Sequence, residues 1–281
     1  MVVSVAHLGP AGTYAEAAAL AYVNWLNQRG QQGLLCPYPS IAQTLRAAAQ
    51  RQADVAVVPV ENSVEGSVTT TLDTLWQLDK LQIQQAHVLP ISHALLSRAE
   101  TLEEIKTVYS HPQALAQCQG WLERFLPSVQ LVPMNATTEA LKYLGEDKTA
   151  AAIASSRAAQ LYQLPILVCP INDYPDNYTR FWVLSLQPSG GGSHTSLAFS
   201  VPANVPGALV KPLEVFASRG INLSRIESRP TKRSLGDYLF FTDLEADARE
   251  ASVQSALKEL TAYTETLKIF GSYSIVSIGK L

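Results

Sequence analysis

Up to about position 186 the sequence alternates short apolar, often β-branched runs with helices, several of them headed by a side-chain cap. Residues 2–7 (VVSVAH) read as a buried strand. GPAGTYAE follows, with Thr13 and Glu16 at the T-x-x-E spacing of a capping box, so a helix should run from there to about Arg29. Residues 34–38 form a short strand, Ser40 and Gln43 give an S-x-x-Q version of the same cap, and DVAVVP at 54–59 is a strand buried on both faces. Another strand–helix passage begins near Gln82, and Thr101 and Glu104 repeat the capping spacing. Residues 107–109 are a strand, and Pro112 suits the first position of a single helix, PQALAQCQGWLERF. A strand at 131–133, a helix from Thr137 or Thr138, a strand at 149–154, a helix from Ser155 and the strand RFWVLSL (180–186) complete the series. Parallel strands require such crossovers, so the pattern predicts an α/β fold. The length and the break near 78–90 suggest two α/β lobes with a cleft between them.

QPSGGGSHTS (187–196) reads as a flexible linker. Beyond it the order changes to strand 195–201, helix 206–219, strand 221–229, strand 237–243, helix 247–260 and strand 265–276, a ferredoxin-like βαββαβ unit. The expected division is therefore 1–187, a linker at 188–193, and 194–281. A chain of 281 residues with 47% apolar content suffices for two domains without disulfides or metals.

Charge and cysteine content exclude several classes. The net charge is −3; residues 1–185 carry 11 basic against 15 acidic groups and residues 186–281 carry 10 against 9, so neither half has a basic stripe for nucleic acid. Cys36, Cys118 and Cys169 form no CxxC pair, which predicts neither a zinc site nor a disulfide framework and suggests a reducing, cytoplasmic setting. The N-terminal run lacks a basic flank and is cut by Gly9-Pro10, unlike a signal peptide, and no run is long enough to span a membrane.

In α/β sheets ligands bind beyond the carboxyl ends of strands. The post-strand turns GPAGTY, ENSVEGS, SHPQ, NATT, ASS and NDYPDNYTRF offer many neutral donors, a few carboxylates and one arginine. With helix N-termini at Thr13, Pro112, Thr138 and Ser155, such a pocket suits a small polar carboxylate. Each element also has a plainer reading. Gly9 and Gly12 would serve a tight turn, Ser110 and His111 a cap and a core imidazole, Gln113 and Gln117 one solvated helix face, and Arg180 a stacking or ion-pair residue. There is no GxSxG elbow, P-loop or GxGxxG.

Taken together and in order, GPAGTYAE, VPVENSVEGSV, YSHPQALAQC, TTEAL, AAIASSRAAQLYQL, NDYPDNYTRFWVL, PGAL and NLSRIESRP resemble a monofunctional prephenate dehydratase with a C-terminal ACT regulatory domain. The resemblance spans nearly the whole chain. It implies a catalytic domain of two lobes like a type II periplasmic-binding protein. It also implies decarboxylating dehydration of prephenate to phenylpyruvate without metal or other cofactor, and feedback inhibition by phenylalanine.

The family's essential threonine falls on Thr179. Its associated catalytic residues fall on Glu61, Asn62, Ser110, Gln113 and Gln117. Substrate contacts fall on Thr13, Tyr14, Ser63, His111, Thr137, Arg180 and Phe181, with Arg180 expected to balance substrate carboxylates. Phenylalanine would bind where two ACT domains meet, at Asn204, Gly207, Ala208, Leu209, Asn222, Leu223, Glu227 and Ser228, with Arg229 and Pro230 in the same motif, in a homodimer or homotetramer. Asn135 stands where some relatives carry a carboxylate, and the chorismate mutase domain that some relatives fuse at the N-terminus is not expected here. Two competing readings remain: an arogenate dehydratase and a non-catalytic amino-acid sensor.

Overall fold

The computed structural model describes residues 2–279. The first lobe opens with β1 (Val2–Leu8), α1 (Tyr14–Asn27), β2 (Gln32–Tyr38), α2 (Ile41–Ala49), β3 (Val55–Asn62), the short β4 (Gly66–Ser67), α3 (Thr69–Gln77) and β5 (Gln82–Pro90). The second lobe holds β6 (His93–Ser97), β7 (Thr107–Ser110), α4 (Pro112–Ala116), α5 (Gln119–Phe125), β8 (Gln130–Pro133), β9 (Ala150–Ser155), α6 (Ser156–Tyr162) and β10 (Ile166–Val168). The chain then returns to the first lobe as β11 (Tyr178–Ser185). The C-terminal domain is β12 (His194–Ser200), α7 (Val210–Ala217), β13 (Leu223–Pro230), β14 (Tyr238–Leu244), α8 (Ala251–Leu260) and β15 (Thr266–Ser277), the expected βαββαβ order.

The first lobe's strands lie in the order β5-β11-β3-β1-β2, and the second lobe's in the order β10-β6-β9-β7-β8. β1 runs parallel to β2 and β3, whereas the returning β11 is antiparallel to both β3 and β5. Two crossings join the lobes and are bonded side by side. Ile91 N–H donates to Asn177 O (2.8 Å), Asn172 Nδ2 donates to Ile91 O (3.1 Å), and His93 N–H donates to Asn172 Oδ1 (2.6 Å). A returning strand and a double crossing are the marks of the two-lobed binding-protein fold expected from the sequence.

The caps at Thr13 and Ser40 form, each hydroxyl accepting from the amide three residues on. The helix expected from Ser155 forms with the same kind of cap, whereas several others are shorter than expected. The helix expected from Pro112 is broken at Cys118, because Asp173 captures the amides of Gly120 and Trp121 (both 2.8 Å) and so starts α5 afresh. The helix expected at Thr137 or Thr138 is one 3₁₀ turn (Ala140–Tyr143), stopped at Gly145 with φ +46°. The T-x-x-E at Thr101 heads only a 3₁₀ turn with no side-chain cap, and α7 begins at Val210, after the PGAL turn.

The largest departure concerns the linker. Ser189 Oγ is bonded to both the amide and the carbonyl of Ser272, Gly192 N–H donates to Asp247 Oδ2 (2.8 Å), and Gln84 Nε2 donates to Gln187 O (2.8 Å). A Cβ on Gly192 would overlap the Tyr273–Ser274 backbone, so glycine here allows a close strand approach rather than looseness. The C-terminal domain is fixed to the first lobe in two further ways. The first half of β15 pairs with β12, and its second half pairs in parallel with β5 (Ser274 opposite Gln85 through Ser277 opposite Val88). One hydrophobic core contains Leu72, Leu75, Val60 and Trp182 of the lobe together with Ala198, Leu239, Phe241 and Phe270 of the domain. The opposite face of the domain's sheet is covered by α7 and α8 through Leu197, Phe199, Phe216 and Leu260.

His87, on β5 against Tyr22, is buried, and desolvation lowers its pKa from 6.5 to about 4. The unfolded chain therefore takes up a proton near pH 6.5 that the folded chain refuses until about pH 4, so stability is present above that window and lost as pH falls through it. We expect the free energy of unfolding to fall by about 2 kcal/mol between about pH 7 and pH 5, and by about 3 kcal/mol in all by pH 4, since each tenfold change in proton affinity is worth about 1.4 kcal/mol. His87→Leu should make this acid limb shallower, with the buried imidazoles of His7 and His93 left to contribute. An acid limb as steep in His87→Leu as in the parent would refute this.

Candidate active site between the lobes

The sharpest constraint on the cleft comes from two backbone amides. Val64 and Glu65 N–H both point at Asn62 Oδ1 (3.0 Å each), and an N–H can only donate. Asn62 Nδ2 must then be the donor toward Asn177 Oδ1 (2.7 Å), Thr179 Oγ1 (2.9 Å) and Tyr178 O (3.2 Å). This leaves Asn177 Nδ2 to donate to Gln117 Oε1 (2.9 Å), so Gln117 Nε2 faces Asn62 Oδ1 (3.4 Å). His93 Nε2, 2.9 Å from the same Gln117 Oε1, must carry a proton. Burial keeps the His93 imidazole below its ordinary pKa, and its Nδ1 has no partner among the described residues. The outcome of this chain of amides is specific. Thr179 Oγ1 accepts from Asn62, no acceptor among the described residues takes its own proton, and that proton is free for a ligand.

A one-residue irregularity puts Asn62 and Thr179 on the same face. On β3, Ala56 and Val58 face the core shared with the C-terminal domain, and Val55 and Val57 face α1. Simple alternation would then send Glu61 to the cleft side and Asn62 away from it. Arg180 pairs with Glu61 but Phe181 pairs with Pro59, so Val60 is the extra residue of a bulge and the parity reverses. Asn62 thus joins Thr179, while Glu61 joins Arg180 on the opposite face.

This corrects two expectations. Arg180 does not reach the cleft to balance a ligand's carboxylates: its guanidinium lies 3.5 Å from Glu61 Oε2 and 3.2 Å from Asp243 Oδ2 of the C-terminal domain. Glu61 is bound up in the same cluster. Phe181 is 2% exposed and packs beneath the cleft with Val5 and Ala18.

The other sequence candidates divide by what their polar atoms already do. Ser110 is buried and its hydroxyl donates to Ile153 O (2.7 Å). Ser63 Oγ clasps the entry to β11, accepting from Tyr178 N–H (2.9 Å). Thr13 caps α1, and Tyr14 Oη donates across the lobes to Ser92 O (2.6 Å); burial raises its pKa. His111 Nδ1 accepts from Gln113 N–H (3.2 Å), leaving Nε2 uncommitted. The side chains of Gln113 and Thr137 make no hydrogen bond among the described residues. Gln113 is exposed while Gln117 is buried, because α4 ends at Ala116 and turns Gln117 inward.

The GPAGTY turn seats against the second lobe. Gly12 (φ +83°) lies where a Cβ would press on Thr138 and Ala158. Ser155 Oγ donates to Gly12 O (3.0 Å), and the Glu16 carboxylate accepts from both Gly12 N–H (2.8 Å) and Arg157 (3.1 Å). Sequence reasoning did not single out His93, Asn177 or Asp173. The first is the one ionisable group in the apolar run PISHALL, and the other two lie inside a motif already in view.

In the C-terminal domain the candidates fall at opposite ends of one sheet. Asn204 Nδ2 donates to Gly236 O (2.9 Å), beside the end of β13 at Pro230, with Gly207 (φ +83°) in the adjoining turn and Ala208 and Leu209 leading into α7. Asn222 bonds Glu245 (2.8 Å) at the other end, where Leu223, Leu213 and Ile226 line an apolar groove. Along β13, Ser228 points outward, whereas Glu227 and Arg229 point to the first lobe and bond Ser67 (3.2 Å) and Asp73 (3.0 Å).

A two-lobed cleft lined by an oriented amide chain, joined to a βαββαβ domain, has the architecture of a small-molecule-binding protein with an attached second domain. Comparison with known proteins gives the particular family. The prephenate dehydratase family model matches residues 5–189, and the ACT domain model matches residues 195–262. The chain is 44% identical over 274 residues to the bifunctional chorismate mutase/prephenate dehydratase of Aquifex aeolicus, covering 96% of this chain and 73% of that one. It is 35% identical to the prephenate dehydratase of Lactococcus lactis subsp. cremoris, covering 99% of both. The crystal structure of the Arthrobacter aurescens prephenate dehydratase in complex with L-Phe superposes with a TM-score of 0.86 at 36% identity, covering 97% of this chain and 90% of that one. The chain belongs to the prephenate dehydratase family and carries a C-terminal ACT domain. Among the described residues no helix is long and apolar enough to cross a membrane, and no group of three or more His, Cys, Asp and Glu is placed to hold a metal ion.

Proposed function

We propose that the cleft converts prephenate to phenylpyruvate, carbon dioxide and water, as a carbon–oxygen lyase. The observation that carries this reading is the uncommitted proton of Thr179, aimed by Asn62 and backed by Asn177, Gln117 and His93. The C–C bond to the ring carboxylate breaks, its electron pair aromatises the ring, and the C–O bond to the ring hydroxyl breaks as that oxygen takes a proton. Aromatisation drives the step. A threonine is a weak acid, so Thr179 acts mainly as a pre-aimed hydrogen bond to the departing oxygen. With Arg180 turned away, the substrate's carboxylates fall to neutral donors, and Gln113, His111 Nε2 and Thr137 are the candidate groups with capacity to spare.

Phenylalanine as effector of this chain belongs to the same reading. Asn204 and Gly207 lie at one end of the β13 sheet and Asn222 and Leu223 at the other, so a site using both sets needs a second copy of the domain in antiparallel alignment. This supports a homodimer or a higher even assembly. Three unpaired cysteines suit a cytoplasmic enzyme.

The test is a product assay with prephenate and with arogenate, each with and without phenylalanine. Phenylpyruvate formation that phenylalanine suppresses is expected. Turnover of arogenate alone would move the assignment to the amino-acid form of the substrate. No turnover of either would leave a sensing protein.

A further inference from the structure

The bulge that turns Asn62 and Thr179 into the cleft turns Glu61 and Arg180 toward the C-terminal domain. The two pairs are neighbours in sequence and in register: Thr179 lies opposite Asn62, and Arg180 opposite Glu61, on the last residues of β3 and the first of β11. Arg180 closes this strand pair from behind by bridging Glu61 Oε2 (3.5 Å) and Asp243 Oδ2 (3.2 Å). Asp243 is fully buried in β14 and held on every side. Arg225 Nε donates to it (2.8 Å), as does Ser196 Oγ (2.6 Å), which is itself bonded to Tyr273 Oη (2.8 Å). Arg225 also reaches Ser67 of β4, the strand paired with the end of β3 (3.3 Å). A buried carboxylate shared by two guanidiniums has few alternative positions, since losing either partner leaves a charge uncompensated. Its position therefore fixes that of Arg180, and through Arg180 the strand ends that carry the cleft's donor.

We propose that Asp243, in the C-terminal domain, is a positioning residue for the Asn62–Thr179 pair, and that the Arg180–Asp243 ion pair is the contact through which a ligand on that domain alters turnover in the cleft. This rests on the reading of Thr179 as the donor to prephenate. A second ion pair across the same interface supplies the comparison. Asp73 of α3 binds Arg229 (3.0 Å) and Lys232 (2.8 Å), and among the described residues its carboxylate bonds no residue of β3 or β11.

The experiment measures kcat and KM for prephenate, the affinity for phenylalanine by equilibrium dialysis, and the inhibition that phenylalanine produces. It uses the full chain and its Asp243→Asn, Arg180→Lys, Glu61→Gln and Asp73→Asn variants. Asp243→Asn and Arg180→Lys are each expected to lower kcat by about tenfold with KM changed by less than about twofold, because the donor is misplaced and not removed. A double variant carrying both Asp243→Asn and Arg180→Lys should be little worse than either single one, as for residues acting through one contact. Phenylalanine should still bind these variants within about threefold of the parent affinity yet inhibit them far less. Asp73→Asn should match the parent in kcat. If Asp243→Asn does not fold, Arg180→Lys and Glu61→Gln interrogate the same link from the lobe side. Parent-like kcat and parent-like inhibition in Arg180→Lys and Glu61→Gln would overturn the proposal. So would an equal kcat loss in Asp73→Asn, which would show a general interface effect. A parent protein idle on prephenate but folded would instead overturn the reading of the cleft.

Discussion

Thr179→Ala is expected to lower kcat on prephenate by about 10²–10³-fold with little change in KM, the cost of removing one pre-aimed donor from a developing charge. The geometry requires this split. Asn62 holds the Thr179 oxygen at 2.9 Å, so the hydroxyl is already aimed and adds most when the leaving oxygen gains charge. Thr179→Ser keeps the hydroxyl and should retain most of the activity. Thr179→Val keeps the shape and should resemble alanine. Steady-state kinetics with the alanine variant near the parent rate would remove Thr179 from the mechanism. It would leave the amide chain of Asn62, Asn177, Gln117 and His93 as a purely structural network.

The second large effect concerns stability. Trp182 on β11 is fully buried in the core shared by the first lobe and the C-terminal domain, with Tyr273 edge-on to its ring (centroids 6.5 Å apart) and the Arg225 guanidinium 5.7 Å from it. Trp182→Ala should cost about 3–5 kcal/mol, the range for emptying a large aromatic site. Because this core belongs to both units, calorimetry should show lobe and domain unfolding in one transition in the parent protein. Two well-separated transitions, or a Trp182→Ala loss confined to one of them, would contradict the shared core.

Much of the architecture was legible in the sequence because it rests on local signals. The caps at Thr13 and Ser40, the β-branched run at 54–59 and the change to βαββαβ after residue 193 all correspond to observed elements. What the sequence hid depends on partners far along the chain. Asp173 breaks the helix at Cys118 from 53 and 52 residues away, and so turns Gln117 into the network. The glycines at 190–192 read as loose, but Gly192 meets the Tyr273–Ser274 backbone and Asp247, which composition does not reveal. The site itself was half legible. Asn62, Gln117 and Thr179 come together as the motifs imply, whereas Glu61 and Arg180 stand behind them. A motif places neighbours in a site, but a single bulge at Val60 decides which of two adjacent side chains enters it.

The double pairing of β15 gives the chain a fixed order of completion. β5 is synthesised early and forms one border of the first lobe's sheet, yet the partner for that border is the second half of β15, far downstream. Until β15 arrives, β5 offers an open row of backbone donors and acceptors, the kind of border that joins foreign strands. A ribosome that stalls within the C-terminal domain would therefore release a catalytic lobe with an exposed, adhesive side. Shortened chains ending before Ser274 should be found in aggregates more readily than as active two-lobed fragments.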